Sequence, residues 1–281
     1  MTEAPGNEPE HKDEKWITTD SRILSDEELK MLQKQDQKLV TEFKRNKLEL
    51  EAGRYWDLFY KRNSTNFFKD RHWTSREFEE IKRMLSENRQ VKLLEAGCGV
   101  GNAFFPMLEE CSNLYVYACD FSPRAVQFVR DNPMYSSERC TAFLCDLSCQ
   151  NLDATIPPNS LDVVTLIFAL SAIHPDKFAF VLESIQNVLK PSGYLLFRDY
   201  GIYDWAMLRF SPGSKISENF YVRQDGTRAY YFAKETMEML VKKTGFRVVS
   251  NEYVMRETIN HKKNIKVPRV FLQGKYQKES R

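Results

Sequence analysis

The sequence predicts an α/β fold: a mainly parallel sheet of seven strands with helices on both faces, ended by an antiparallel hairpin and preceded by a helical extension. Three observations lead there. From about residue 91 onward, short apolar runs alternate with amphipathic helical stretches, the pattern of βαβ units. The last two runs, "FRVVSNEYVMRE" and "PRVFLQGKY", stand too close together for a crossover helix, so they must pair antiparallel. Before all of these lies "SDEELKMLQKQDQKLVTEFKRNKLELEAGRYWDLFYKRN", dense in helix formers.

Residues 1–24 are polar and are expected to be disordered. Ser25, with Glu28 three positions later, makes a capping box that opens the helical extension, residues 25–88. Two helices with a break near Gly53 are expected, then a loop, "STNFFKDRHWTSREF", and a helix from about Thr74 to Leu85. Residues 89–281 form the α/β domain. Its strands are read at "VKLLEAG", "LYVYACD", "TAFLCD", "LDVVTLIFAL", "GYLLFRDY" and the two hairpin runs. Helices fit "NAFFPMLEE", "SPRAVQFVRDN", "PDKFAFVLESIQNVLK" and "AKETMEMLVKKTG". Residues 201–232 read as an insertion after the fifth strand, placed to cap whatever binds at the strand ends.

Composition bounds the function. With 281 residues, 42% hydrophobic and 13% aromatic, the chain can build the core of one large α/β domain. No apolar run reaches the roughly 18 residues of a membrane span. "MTEAPGNEPEHKDEK" lacks the apolar centre of a signal peptide and is too acidic for a transit peptide. An intracellular protein, cytoplasmic and also nuclear, is therefore expected. The six cysteines fall between residues 98 and 149 with no Cys-x-x-Cys pair, which argues for reduced, mostly buried thiols and no metal. The net charge of +2 hides an asymmetry: from Arg198 onward there are 17 Lys and Arg against 9 Asp and Glu. That balance suits a polyanionic partner or an ordinary solvated surface equally well.

The chemistry is concentrated in "VKLLEAGCGVGN", residues 91–102. A dinucleotide fingerprint wants its third glycine at position 102, which is Asn102. Instead Gly97, Gly99 and Gly101 are two apart, with Glu95 just before them. This E-x-G-x-G-x-G pattern resembles the first motif of class I S-adenosylmethionine-dependent methyltransferases, a Rossmann-like family. The resemblance implies a turn packed under the methionine part of the cofactor. Asp120 ends the second strand, where the family binds the ribose hydroxyls, and Asp146 ends the third, where it binds the adenine amino group. Each Asp alone is as well explained as a helix cap. Three acids at three successive strand ends, beside a glycine turn, are harder to dismiss. Phe121, Leu147 and Ile167 flank these strand ends and complete the expected cofactor set.

The fourth strand is followed by "LIFALSAIHPDK", without the Asn/Asp-Pro-Pro-aromatic motif of amino-directed nucleic-acid methyltransferases and without a Pro-Cys nucleophile. His174 there reads as a loop or capping residue. "WDLFYKRNSTNFFKDRHW", "LEAGCGVGN", "ACDFSPRAV", "LSAIHPDK", "FRDYG" and "FYVRQDGTR" together resemble the eukaryotic tRNA 3-methylcytidine methyltransferases over roughly Ser25 to Tyr276. The short N-terminus and "KRNSTNFFKDRHW" are most similar to the branch acting on serine tRNAs with seryl-tRNA synthetase.

The resemblance implies transfer of a methyl group from S-adenosyl-L-methionine to N3 of cytidine 32 in the anticodon loop. Cytosine N3 carries a lone pair at neutral pH and needs exposure and alignment more than a base. Asp199, in "FRDYG", is the expected base-orienting acceptor, with Tyr200 beside it. Phe67, Phe68, Lys69 and Arg71, and in the insertion Tyr221, Arg223 and Arg228, interleave rings and cations as unpaired RNA requires. Arg256 and Arg269 extend that basic surface, while Trp56, Tyr60 and His72 are placed over the cofactor. Neither DNA nor a membrane is expected as a partner. Three other functions stay open: a methyltransferase for threonine or arginine tRNA or another substrate, a nicotinamide-dependent oxidoreductase, and a non-catalytic RNA-binding partner subunit.

Overall fold

The computed structural model describes residues 17–19, 22–65, 77–260 and 265–279. Phe67, Phe68, Lys69, Arg71, His72 and Trp73 lie outside the described residues, as does the start of the helix expected from Thr74.

In the extension, helix α1 (Asp26–Asp36) opens with the expected box: the Glu28 N–H donates to Ser25 Oγ at 3.3 Å, and the Ser25 N–H donates to Glu28 Oε2 at 3.0 Å. Two helices then follow where one was expected, α2 (Glu42–Leu50) and α3 (Ala52–Asn63). The break after Asp36 has a tertiary cause. The Val40 N–H donates to Lys215 O at 2.9 Å and Lys38 O accepts from the Gly213 N–H, so this backbone is committed to the insertion. Propensity alone would have run a helix through it. The second break falls at Glu51; Gly53 sits in the first turn of α3, where a Cβ would make ordinary contact with the Phe121 ring at 3.7 Å. Helix α4 covers Glu79–Leu85.

The strands follow in order: β1 (Ile17–Thr19), β2 (Val91–Ala96), β3 (Leu114–Asp120), β4 (Cys140–Leu144), β5 (Leu161–Ile167) and β6 (Leu189–Tyr200). The insertion holds β7 (Lys215–Ser217), β8 (Phe220–Val222) and β9 (Arg228–Tyr230), and the hairpin is β10 (Phe246–Asn260) with β11 (Ile265–Lys278). The main sheet has the order β1-β10-β11-β6-β5-β2-β3-β4 among the described residues. The pairs among β2 to β6 are parallel; β11 pairs antiparallel with β6 and with β10. The seven expected strands are all present. An eighth, β1, adds to the outer edge of β10 with Ile17 opposite Met255. Residues 17–19 were expected within a disordered segment, but an edge strand offers unpaired backbone groups that a β-branched "ITT" run can satisfy.

Both faces of the sheet are covered, so neighbouring residues of one strand enter opposite cores: Leu94, Val164 and Leu195 on one side, Leu93, Val163 and Leu196 on the other. Helix α7 (Phe178–Val188) packs on the first side, and α5 (Phe104–Glu110) with α4 on the second. The strand order reverses between β2 and β5, which opens a crevice beyond their carboxyl ends.

The insertion opens with α8 (Trp205–Leu208) and carries the three-stranded sheet β7-β8-β9. Asp204, wholly buried, roots it: the carboxylate accepts from Arg269 Nε at 2.9 Å, Val270 N at 2.8 Å and Ala206 N at 2.8 Å. Gln35 of α1 donates to the carbonyls of Met207 and Leu208, both at 3.0 Å. Extension and insertion are thereby one packed unit above the sheet edge.

Candidate active site

The crevice holds a cavity of about 910 Å³, its open mouth included. Trp56, Tyr60, Glu95, Gly97, Gly99, Asp120, Phe121, Asp146, Leu147 and Ile167 all line it, and so do Tyr200 and Arg223. These residues come from seven separate stretches of chain, and the topology brings them to one place.

The glycine turn is shaped by backbone needs. Gly97 and Gly99 have φ of 72° and 54°, in the left-handed region that other residues enter at a cost. A Cβ at Gly97 would come within 2.5 Å of Ala169 Cβ, and one at Gly99 within 2.9 Å of Tyr60 Oη. The cavity floor is bare backbone because two neighbours press on it.

Asp120 accepts from the Gly99 N–H (Oδ2) and the Ser122 N–H (Oδ1), both at 2.9 Å. Burial pushes its carboxyl up to about 6, against the pull of the backbone N–H groups of Ser122, Gly99 and Phe121. Asp146 stands two residues beyond β4 and is half-buried, with Oδ1 accepting from the Ser148 N–H at 2.9 Å. Glu95 is buried at the end of β2. The acids differ in solvation: Glu95 and Asp120 are buried, and Asp146 is half-buried.

The other end of the cavity is walled by Phe168, Ser171, Tyr200 and Arg223. Phe168 follows β5 with φ of 54°, a strained conformation for an aromatic residue. Its ring lies 5.2 Å from the Tyr200 ring, and the Arg223 guanidinium carbon is 5.4 Å from that ring's centre. Sequence reading missed Phe168. Its place directly after the largely apolar strand "LDVVTLI" was the available signal, but nothing local marks a positive φ.

Asp199 departs from expectation. It is wholly buried and is not among the residues lining the cavity. Its oxygens accept from the Ser171 and Tyr200 N–H groups, each at 2.9 Å. Burial raises its carboxyl to about 6. It therefore sits behind the wall and fixes Ser171 and Tyr200, because a carboxylate at a central strand end meets the neighbouring loop first. The basic insertion is also more internal than its composition implied. Arg228 is buried against Glu49 and Arg269 against Asp204, both ion-paired, and Tyr221 is buried and stacks on Phe210 at 4.6 Å. These three hold the insertion together and present no surface for phosphate. Arg256 is half-buried on β10, opposite Arg269. Four cysteines are buried and all six are free. Among the described residues, no helix is long and apolar enough to cross a membrane.

Comparison with known proteins decides the family. A family model described as a methyltransferase domain matches residues 94–195. The human tRNA N(3)-cytidine methyltransferase METTL6 is 59% identical over 259 residues, covering 92% of this chain and 91% of that protein. The tRNA N(3)-methylcytidine methyltransferase trm140 of Schizosaccharomyces pombe is 40% identical, covering 90% and 84%. The chain belongs to the tRNA N(3)-cytidine methyltransferase family. It is an S-adenosyl-L-methionine-dependent enzyme of that class. A solved methyltransferase from Anabaena variabilis, described as SAM-dependent, shares the fold with a TM-score of 0.57 at 12% identity, covering 81% of this chain and 95% of that one.

The cavity fits this cofactor on its own chemistry. The glycine floor lets a ligand touch backbone, the buried Asp120 can accept two hydroxyls, and the half-buried Asp146 can accept from an exocyclic amine. Tyr60 of α3 lies against Gly99 of this floor, with the Trp56 ring 6.2 Å from its own, and both line the cavity.

Proposed function

We propose that the enzyme methylates N3 of cytidine 32 in the anticodon loop of serine tRNAs, in partnership with seryl-tRNA synthetase. One observation carries the site: a single cavity joins an end built of glycine backbone and acids to an end built of aromatic rings and one arginine. Glu95, Gly97 and Gly99 hold the methionine part of the cofactor, Asp120 the ribose, and Asp146 with Leu147 the adenine. When bound, the cofactor supplies an electrophilic methyl group. The chain's own task is to present the base. Phe168 and Tyr200 offer ring faces to the flipped cytosine, whose N3 lone pair needs no base to free it at neutral pH. Those same faces suit the positive charge that grows on the base. Arg223 donates toward the carbonyl oxygen of the base, the acceptor that cytosine keeps after methylation. Asp199 holds the wall still by fixing Ser171 and Tyr200.

The serine branch is supported by the stretch "KRNSTNFFKDRHW", which resembles that branch of the family. The test uses tritiated S-adenosylmethionine and serine-tRNA transcripts with cytidine or uridine at position 32, with and without the synthetase. Incorporation that requires both cytidine and synthetase is expected. Incorporation without the synthetase removes the partner from the proposal, and incorporation only into other tRNAs removes the serine assignment.

A further inference from the structure

Helix α3 presents Gly53, Trp56, Asp57 and Tyr60 on one face, at i, i+3, i+4 and i+7. Trp56 and Tyr60 line the cavity, and Gly53 lies against Phe121. Asp57 does not line it. Its Oδ1 accepts from Ser122 Oγ at 3.0 Å and from the Arg124 N–H at 3.3 Å, and its Oδ2 faces Arg124 Nη2 at 3.5 Å. These groups belong to the start of helix α6 (Pro123–Arg130).

Ser122 is wholly buried and stands between two carboxylates. Its hydroxyl has one proton, and giving it to Asp57 leaves the oxygen lone pairs free to accept from the Ala125 N–H at 3.2 Å. Its N–H donates to Asp120 Oδ1 at 2.9 Å. One side chain of the extension thus reaches, through one serine, the acid that meets the ribose. Without that acceptor the hydroxyl would turn, the Arg124 N–H would lose its partner, and α3 would lose a polar tie to the domain.

We infer that Asp57 is a positioning residue for the cofactor, a latch that keeps α3, with Trp56 and Tyr60, closed over the cavity and keeps Ser122 in place to orient Asp120. This rests on the reading of the cavity as the S-adenosylmethionine site. The carboxylate is 30% exposed, so water competes for its bonds. That suits a latch which opens to exchange product for fresh cofactor at each turnover.

The experiment loads the full chain with tritiated S-adenosylmethionine and follows its release into excess unlabelled S-adenosylhomocysteine. Asp57→Ala should release about tenfold faster than the wild type, the size of a few lost hydrogen bonds at a half-exposed site. Asp57→Asn keeps an acceptor but loses the charge facing Arg124, and should release about threefold faster. Arg54→Gln, on the outward face of the same helix, should match the wild type. Methylation kinetics should show a raised KM for the cofactor with kcat kept. If the alanine variant does not fold, the isosteric asparagine variant decides. Wild-type release from Asp57→Asn overturns the latch while the site reading stands; a wild type that binds no cofactor overturns both.

Discussion

Gly99→Ala tests whether the glycine turn is shaped by its neighbours. Two penalties follow from the structure. At φ of 54° an alanine costs about 1 kcal/mol relative to glycine. Its Cβ would also stand 2.9 Å from Tyr60 Oη, while the next atom of that ring, Cζ, is at an ordinary 3.8 Å. Moving the hydroxyl away costs about 1 kcal/mol more, at the low end for overpacking. Tyr60→Phe removes only the atom in the way. Gly99→Ala should therefore lower the unfolding free energy by about 2 kcal/mol in the wild type and by about 1 kcal/mol in the Tyr60→Phe background. Urea denaturation of the four proteins measures the coupling, and calorimetric titration with S-adenosylhomocysteine should show the same ordering. A coupling energy below about 0.3 kcal/mol, within the spread of independent sites, would refute the contact as the reason for glycine.

Other consequences follow from buried charges and from Phe168. Asp120 is raised to about 6 by burial and must be ionised to accept ribose hydroxyls, so cofactor affinity should be level above about pH 7. Below about pH 6 it should fall by up to about tenfold per unit, and Asp120→Asn should bind weakly with no such slope. In the free protein the same shift acts on stability with a definite sign. Asp120 and Asp199, both raised from 3.8 to about 6, bind more protons folded than unfolded. The unfolding free energy should drop as pH rises from about 4 to about 6, by up to about 3 kcal/mol per carboxylate, and then level off. Thermal midpoints across that range check it, and Asp199→Asn should flatten the curve. Asp204→Ala leaves the buried Arg269 guanidinium and the Val270 N–H without their acceptor. A loss of about 3 to 5 kcal/mol is expected by chemical denaturation. Phe168→Leu keeps apolar bulk but removes the ring, so methyl transfer should drop by about tenfold or more while cofactor affinity stays within about threefold. Equal losses in both would place the ring at the cofactor end.

Much of this protein was legible in one dimension because local chemistry sets it. The alternation of runs such as "LDVVTLI" with amphipathic helices specifies a sheet covered on both faces, and the close final runs specify a hairpin. Glu95, Gly97, Gly99, Asp120 and Asp146 are marked by residue type and by position at strand ends, and all line one cavity. What needed the tertiary structure was everything set by contact between distant segments. Helix propensity could not show that the backbone after Asp36 would bond to Lys215 and Gly213, which splits the extension into more helices than its composition predicts. Charge counts could not show that Arg228 and Arg269 would be drawn inside by Glu49 and Asp204. Asp199 reads as a site residue from its strand end, yet the loop at Ser171 takes its oxygens first. Phe168 and Asp57 carry no local mark, since a positive φ and a hydrogen bond across 65 residues exist only once the chain has folded. Periodicity and backbone freedom are properties of a short stretch; burial and partnership are properties of the packed whole.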